Sequence, residues 1–351
     1  MRQLETPTVP KGLTDSFDRL CQVAAGPVCV AVSGGGDSLA LLLIAADWAQ
    51  TRRRDVCALT VDHGLRPEAA GEARFVAEIA ARYGIPHRTL RWEAPQPGQA
   101  KARRARHHLL AAAAREAGSV VILTAHTQDD NAETFLIRAR AGSGWYGLAG
   151  IQPLSLSPAE PPGVPVLLGR PLLATPRAAL RDLLQTHGEG WVEDPSNENP
   201  AYERVRVRRT LAEDPALRAR ILVLQERLQL LRQLQDQALA NWLSQYVEVR
   251  PDGALRAPLP PPPGERGERA LAALIALASG RTRPLRSDAL HRLAHRITRP
   301  DTLRPATLGG AIVAVRKDKL HVTAEHGLAP EQVNAIPARL AAMVTACSGH
   351  M

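Results

Sequence analysis

The sequence predicts an α/β protein: a doubly wound, mostly parallel sheet, a long connector helix, and a small α+β C-terminal domain. Three observations carry this expectation. Short β-branched runs alternate with helical stretches through the first half. A continuous helical pattern runs from Asp214-Pro215 to about Tyr246. Past a proline-rich segment come two more helical stretches and a hairpin pattern. The expected boundaries are 1–213, 214–256 and 257–351.

Val28–Val32, Asp55–Val61, Ile85–Trp92 and Ser119–Ala125 read as strands, and Ser38–Trp48, Glu68–Tyr83, Gln99–Ala117 and Asp129–Ala139 as helices. Leu154 to Val166 is rich in proline and serine and reads as a surface loop. In the connector, Leu217, Ile221, Leu224, Leu228, Leu231 and Leu239 recur at helical spacing. Ala257 to Arg266 holds four consecutive prolines and reads as a semi-rigid linker. Gly267–Ser279 and Ser287–Ile297 read as helices, and Thr307–Val315 with Lys319–Thr323 as a hairpin. The last twenty or so residues carry little signal.

The chain has 351 residues, 45% of them hydrophobic, which suits a folded protein of two domains. No apolar signal core opens the chain, and the longest nearly apolar run, Leu39–Ala46, is far too short to cross a bilayer. A cytoplasmic location is expected. Cys21, Cys29, Cys57 and Cys347 form no CxxC pair, so neither a zinc ribbon nor a cluster site is expected. The net charge is +9 and the cations are mostly arginine, whose fork suits phosphate. A polyanionic partner and a merely arginine-rich surface both fit that balance. With only 3% aromatic residues, a stacking platform for single-stranded bases is disfavoured.

The sharpest feature is Val32-Ser33-Gly34-Gly35-Gly36-Asp37-Ser38, between an expected strand and an expected helix. Glycines let backbone N–H groups approach an anion, and the helix start adds free N–H groups and a positive dipole end. Ser33 and Ser38 add hydroxyls. The pattern is neither a Walker A loop, which needs a lysine, nor GxGxxG. A tight turn is the bland alternative, but three glycines in a row cost conformational entropy that a turn alone does not require.

Two further clusters sit at expected strand ends, where open parallel sheets bind ligands. Asp62 and His63 follow the second strand. They meet a nucleotide, or they form a polar loop closed by Gly64. His126-Thr127-Gln128-Asp129-Asp130-Asn131-Ala132-Glu133-Thr134 follows the later strand. Its carboxylates suit Mg²⁺, and one of them can accept the proton of an attacking amine. Thr127 with Asp130 also reads as a capping box, which accounts for part of the cluster.

The SGGxDS loop resembles that of the PP-loop ATP pyrophosphatases, the adenine nucleotide α-hydrolase-like enzymes. With the other motifs, residues from about Val28 to Arg209 resemble the tRNA(Ile)-lysidine synthetase family. The motifs are SGGGDS at 33–38, VDHGLRPE at 61–68, QAKARRAR at 99–106, HTQDDNAET at 126–134, GSGWYGLAG at 142–150, RPLL at 170–173 and WVEDPSN at 191–197. Two positions depart from the family's usual pattern: Ala141 in place of a basic residue, and Asn131 in place of glutamine.

The resemblance implies a ligase. ATP adenylates C2 of the wobble cytidine in the CAU anticodon of an isoleucine tRNA, and L-lysine then displaces AMP. Ser33, Gly34, Gly35, Gly36, Asp37 and Ser38 would bind ATP, with Asp62 and His63 near the nucleotide. Asp37 and Asp130 are the expected Mg²⁺ ligands. His126, Asp129, Asp130 and Glu133 would surround lysine and the cytosine. Arg103 and Arg106, one helical turn apart, would clamp phosphate; a solvated helix face is their alternative. Gly142–Gly150 would be a flexible loop whose Trp145 and Tyr146 either stack on a base or simply pack. Arg204, Arg206, Arg208 and Arg209 would contact tRNA, three of them on one face if that segment is extended. Arg281, Arg283, Arg286, Arg292, Arg296 and Arg299 would grip another part of it. No membrane partner is expected, and an oligomer remains open. Two other readings stand beside this one: a different PP-loop tRNA-modifying ligase, and a catalytically inactive tRNA-binding protein.

Overall fold

The structure is a computed structural model. It describes residues 11–23, 26–64, 69–96, 98–159, 164–193, 199–282, 285–298 and 304–348. Residues 65–68 of the second motif, residues 194–197 of the last one, and Arg283 and Arg299 lie outside the described residues.

The chain divides into two compact units. One holds residues up to Ser155 and 166–232, and the other holds 156–165 and 233–350. In the first, β1 (Val28–Ala31), β2 (Val56–Asp62), β3 (His87–Arg91), β4 (Val121–Leu123), β5 (Leu154–Leu156) and β6 (Leu167–Gly169) form one sheet in the order β3-β2-β1-β4-β6-β5. The pairs β1/β2, β1/β4, β2/β3 and β4/β6 are all parallel. Strand order runs outward in both directions from the β1/β4 seam. That reversal opens a crevice at the carboxyl ends of β1 and β4. Parallel strands buried on both faces need apolar side chains throughout, and Val28, Cys29, Val30, Val121, Ile122 and Leu123 are all fully buried.

The helices of this unit are α1 (Lys11–Cys21), α2 (Gly36–Arg52), α3 (Ala69–Arg82), α4 (Gln99–Glu116), α5 (Gln128–Arg140), α6 (Trp145–Leu148), α7 (Arg177–Thr186) and α8 (Glu203–Glu213). The start of α9 (Pro215–Tyr246) also belongs to it. α2 is buried without a break from Ser38 to Ala46, so the helix that carries the glycine loop is locked in the core. Ala132 and Phe135 of α5 pack on Val207 and Leu211 of α8 and on Ile221 of α9. This apolar contact holds three helix segments together beside the acidic motif.

Several expectations change here. Residues 204–209 lie in helix α8, not in an extended segment, so Arg204 and Arg208 share a face at i, i+4 spacing. Leu154–Leu156 is a strand inside the expected loop. Leu224 and Leu231 of α9 are exposed, at 45% and 52%. The buried positions in this part of α9 are Ile221, Gln225 and Arg232. Gln225 Nε2 donates to the Asn131 carbonyl (2.9 Å), and Arg232 Nη1 donates to the Gly150 carbonyl (2.9 Å). The helix docks partly by hydrogen bonds to backbone, which an apolar pattern cannot reveal. Gly150 has φ +83°, and a Cβ there would overlap Asn131 and Gln225, so the close approach requires glycine.

In the second unit, β7 (Glu248–Val249), β8 (Leu255–Pro258), β9 (Ala306–Leu308), β10 (Ala311–Arg316) and β11 (Lys319–Ala324) form an antiparallel sheet in the order β7-β8-β11-β10-β9. α10 (Glu265–Ser279), α11 (Ser287–Ile297) and α12 (Pro330–Ser348) accompany it. Leu271, Leu274, Ile275, Leu293, Val313, Val322 and Ile336 are among its core. The expected linker begins as β8, paired with β11, so its first residues belong to the sheet. The tail that carried little signal is largely α12.

Candidate active site

β1 leads through Val32 and Ser33 into the glycine loop. Gly34 adopts φ +85°, and its carbonyl accepts from the Val192 N–H (2.9 Å). Gly35 caps α2, so Gly36 and Asp37 supply helix-start N–H groups that have no partner within the helix. Ser38 Oγ donates to the Gly35 carbonyl (2.8 Å) and accepts from the Ser33 N–H (3.1 Å). The two serine hydroxyls lie 3.2 Å apart. Ser38 thus braces the loop from within, while Ser33 stays exposed. A Cβ at Gly36 would press on the Trp191 ring at 3.4 Å, so the loop lies close against that indole.

β4 ends at Leu123, and α5 starts five residues later with a complete capping box. Asp130 Oδ2 accepts from the Thr127 N–H and from Thr127 Oγ1, both at 2.9 Å. That leaves Oδ1 for Arg177 Nη2 (3.1 Å). Arg177 opens α7, and its Nε donates to Asp37 Oδ2 (2.9 Å). Its own N–H donates to Asp129 Oδ2 (2.7 Å), stitching the starts of α5 and α7 together. Asp129 Oδ1 takes Arg218 Nη2 of α9 (3.0 Å). Glu133, only 1% exposed, is held by Arg208 Nε (2.8 Å), Arg204 Nε (3.3 Å) and Arg177 Nη1 (3.5 Å).

The structure therefore brings Asp37, Asp129, Asp130 and Glu133 together around arginines that the sequence did not single out for this place. Arg204 and Arg208 turn onto Glu133, and Arg206 Nη1 bonds the Pro200 and Ala201 carbonyls at the start of α8. A faint signal for α7 existed in Pro176 followed by Leu180, Leu183 and Leu184 at helical spacing. Nothing local announced where the Arg177 side chain points.

Burial pushes the Asp37 carboxyl above its ordinary range, an effect that Arg177 only partly offsets. Burial also acts upward on Asp130, but Arg177 and the Thr127 hydrogen bonds outweigh it and hold Asp130 below the usual range. Between α5, α8 and the start of α9 lies a cleft of about 230 Å³. Asp129, Glu133, Arg208 and Arg218 line it with Leu211 and Pro215.

A second cluster is cationic. Arg103 and Arg106 of α4 have no carboxylate within ion-pair distance among the described residues. Burial, then Arg103, pushes Arg106 down. Arg170 is pushed down to about 10 by burial and then by Arg103 and Arg232. His126 bonds Thr124 Oγ1 through Nδ1 (3.1 Å), and burial followed by Arg170 brings it down to about 4. His107, 7% exposed and with neither ring nitrogen partnered among the described residues, is brought to about 3 by burial, then Arg106 and Arg103. Cations repel one another here, which favours an anionic ligand.

Asp62 Oδ1 accepts from the Gly64 N–H (2.9 Å), closing the polar loop, and His63 packs edge-on to Trp92 at 6.1 Å. Trp145 and Tyr146 lie in α6, edge to face at 5.6 Å, with Arg232 over the Tyr146 ring. Arg138 holds the Gly147 and Gly150 carbonyls (2.7 and 3.0 Å), so the glycine-rich segment is tied at both. Cys29 and Cys57 face each other across β1 and β2 with sulfurs 3.1 Å apart. Cys29 is fully buried, and no three His, Cys, Asp or Glu side chains among the described residues are grouped so as to hold a metal ion between them.

A glycine loop opening a buried helix, acids at the neighbouring strand end and the strand reversal between them define a PP-loop nucleotide-binding enzyme. Residues 11–214 match the PP-loop domain family. A tRNA(Ile)-lysidine synthase from Hyphomonas neptunium is 47% identical over 324 residues, 92% of this chain and 88% of that one. One from Methylobacterium nodulans is 39% identical over 86% of this chain and 91% of the relative. The chain belongs to the tRNA(Ile)-lysidine synthase family. Among solved structures, a U34-tRNA thiolase from Methanococcus maripaludis shares the fold. It has a TM-score of 0.50 at 16% identity over 62% of this chain and 78% of that one. No helix among the described residues is long and apolar enough to cross a membrane.

The two depressed histidines set an acid response. Both stay neutral in the fold, while the unfolded chain takes up protons below about pH 6.5. Stability is complete above that pH and falls as pH drops toward 4, by at most about 1.4 kcal/mol per pH unit for each histidine. Melting temperature should fall across pH 6.5 to 4 in the native protein and fall less steeply in His107→Gln. Equal slopes would mean that His107 does not titrate on unfolding.

Proposed function

We infer that the protein ligates L-lysine to C2 of the wobble cytidine in the CAU anticodon of an isoleucine tRNA. The C2 oxygen takes the adenylyl group of ATP and pyrophosphate leaves. The side-chain nitrogen of lysine then bonds C2, AMP departs with the former C2 oxygen, and the nitrogen loses a proton. The product is lysidine. A cytoplasmic location accords with a tRNA substrate.

The observation that carries this reading is the chemistry of the cleft beside α5. A free amino acid with a cationic tail needs carboxylates for ammonium, a cation for carboxylate and apolar cover for methylenes. Asp129 and Glu133 supply the first, Arg208 and Arg218 the second, and Leu211 and Pro215 the third. A sulfur-inserting enzyme has no use for such a set.

The glycine loop supplies N–H groups and the α2 dipole to the departing pyrophosphate. Arg103 and Arg106, unneutralised on α4, suit the α-phosphate, where negative charge develops. Magnesium that arrives with ATP needs only one or two protein carboxylates. Asp37 fits that role beside the loop, and it would help neutralise the phosphates there. Asp130 has less to offer, since one oxygen is committed to the capping box and the other to Arg177. The imidazole of His126, brought down to about 4, is no stronger a base than an ordinary carboxylate, so position beside lysine rather than basicity selects the acceptor of the amine proton. Arg286, Arg292 and Arg296, exposed at and along α11 opposite buried Leu293 and Ile297, suit tRNA phosphates.

Incubation with ATP, Mg²⁺, lysine and a CAU isoleucine tRNA should give an anticodon nucleoside heavier than cytidine by lysine minus water. AMP release with unchanged cytidine would point to another acceptor. Binding without AMP release would favour an inactive tRNA-binding protein. Arg218→Ala should raise KM for lysine about tenfold, the loss of a charged hydrogen bond, with kcat little changed. An unaltered KM would remove Arg218 from the lysine cleft.

A further inference from the structure

Arg177 stands where the acids of the site converge. Its guanidinium reaches Asp37 from α2 and both Asp130 and Glu133 from α5, at 2.9, 3.1 and 3.5 Å. Its backbone N–H takes Asp129 as well (2.7 Å). The side chain is 18% exposed, and Glu133 is almost wholly buried. A buried carboxylate that loses its cation is strongly destabilised. Any cation reaching these acids from outside is therefore better exchanged for a resident cation than added to an empty nest.

The lysine reading brings such a cation, because the substrate carries an ammonium on its α carbon and another on its side chain. We propose that Arg177 is a resident cation at Glu133, the acid that its side chain shares with the lysine cleft: it holds the place of the incoming ammonium there in the free enzyme and yields that place when lysine binds. The inference rests on the lysine reading above. Arg177 is then a positioning residue that lowers lysine affinity by internal competition. It also keeps the acids together while the site waits. Arg204 and Arg208 approach only Glu133 among these acids, so they cannot replace Arg177 at Asp37 or Asp130.

Removing the competitor should tighten lysine binding, an outcome that a purely structural arginine would not produce. Titration calorimetry of the free protein with lysine should show Arg177→Met binding about tenfold tighter than wild type. Arg177→Lys, which keeps a cation, should stay within about threefold of wild type. Unchanged or weaker lysine binding by a folded Arg177→Met would overturn the proposal. So would weakened ATP binding with lysine affinity intact, which would assign Arg177 to phosphate. A measurement on the wild type does not depend on the variants folding. Phenylglyoxal modifies free guanidinium groups, and peptide mass mapping should show more modification at Arg177 once lysine is added. Equal or reduced modification would contradict displacement. Lysine transfer to tRNA by the wild type together with a failed exchange test would sink this proposal and leave the function standing. No lysine binding by the wild type would sink both.

Discussion

A carboxylate with 1% of its surface exposed must have its charge balanced, and Glu133 imposes that demand on its surroundings. Taking an ion out of water costs several kcal/mol, which a cation recovers only with good geometry. Arg208 and Arg204 of α8 and Arg177 of α7 meet the demand from two sides. Three helices are thereby fixed around one charge. The apolar contact of Ala132 and Phe135 with Val207, Leu211 and Ile221 supplies the burial that makes the charge expensive. Packing and ion pairing are parts of one arrangement, since the apolar side chains exclude water and the arginines offset the result.

The site divides into two electrostatic regimes, one acidic and paired with arginines, the other cationic and unpaired. Around Asp37, Asp129, Asp130 and Glu133 the charges are balanced internally, so an entering cation displaces one already present. Around Arg103, Arg106 and Arg170 they are unbalanced, and neighbouring cations push Arg106 and Arg170 below their ordinary values. Such a region gains from any anion that enters. A reaction that brings polyphosphate to one side and an amino acid to the other matches both. The glycine loop, which carries Asp37 of the acidic cluster, opens a helix that is buried from Ser38 to Ala46.

The sheet was legible because its signals are local. Strands such as Val28–Ala31 are continuous β-branched or buried runs, and α4, α5, α9 and α11 follow helical spacing, α5 and α9 with recognisable caps at their starts. The acidic motif was legible in composition, and its capping box in spacing. Its partners were not. Arg177 lies 40 or more residues from each acid it touches, on a ten-residue helix that follows RPLL. The sequence reads Arg204 and Arg208 as nucleic-acid contacts, on one face with Arg206 only if their segment is extended; as a helix, it turns them onto Glu133. Polar burial also misled the reading of α9, where Gln225 and Arg232 face inward and Leu224 and Leu231 face out. Hydrogen bonds to distant backbone carbonyls leave no periodic trace.

The charge balance at Glu133 is tested most directly by a double-mutant cycle with Arg208, using denaturant unfolding of Glu133→Gln, Arg208→Met and the pair. Arg208→Met alone strands part of a buried charge and should cost about 3 kcal/mol. The paired change removes that charge, so its cost should fall short of the summed single costs by about 2 kcal/mol or more. Costs that add to within about 0.5 kcal/mol would show the two groups to be energetically independent. Glu133 would then not be what fixes α8 against α5.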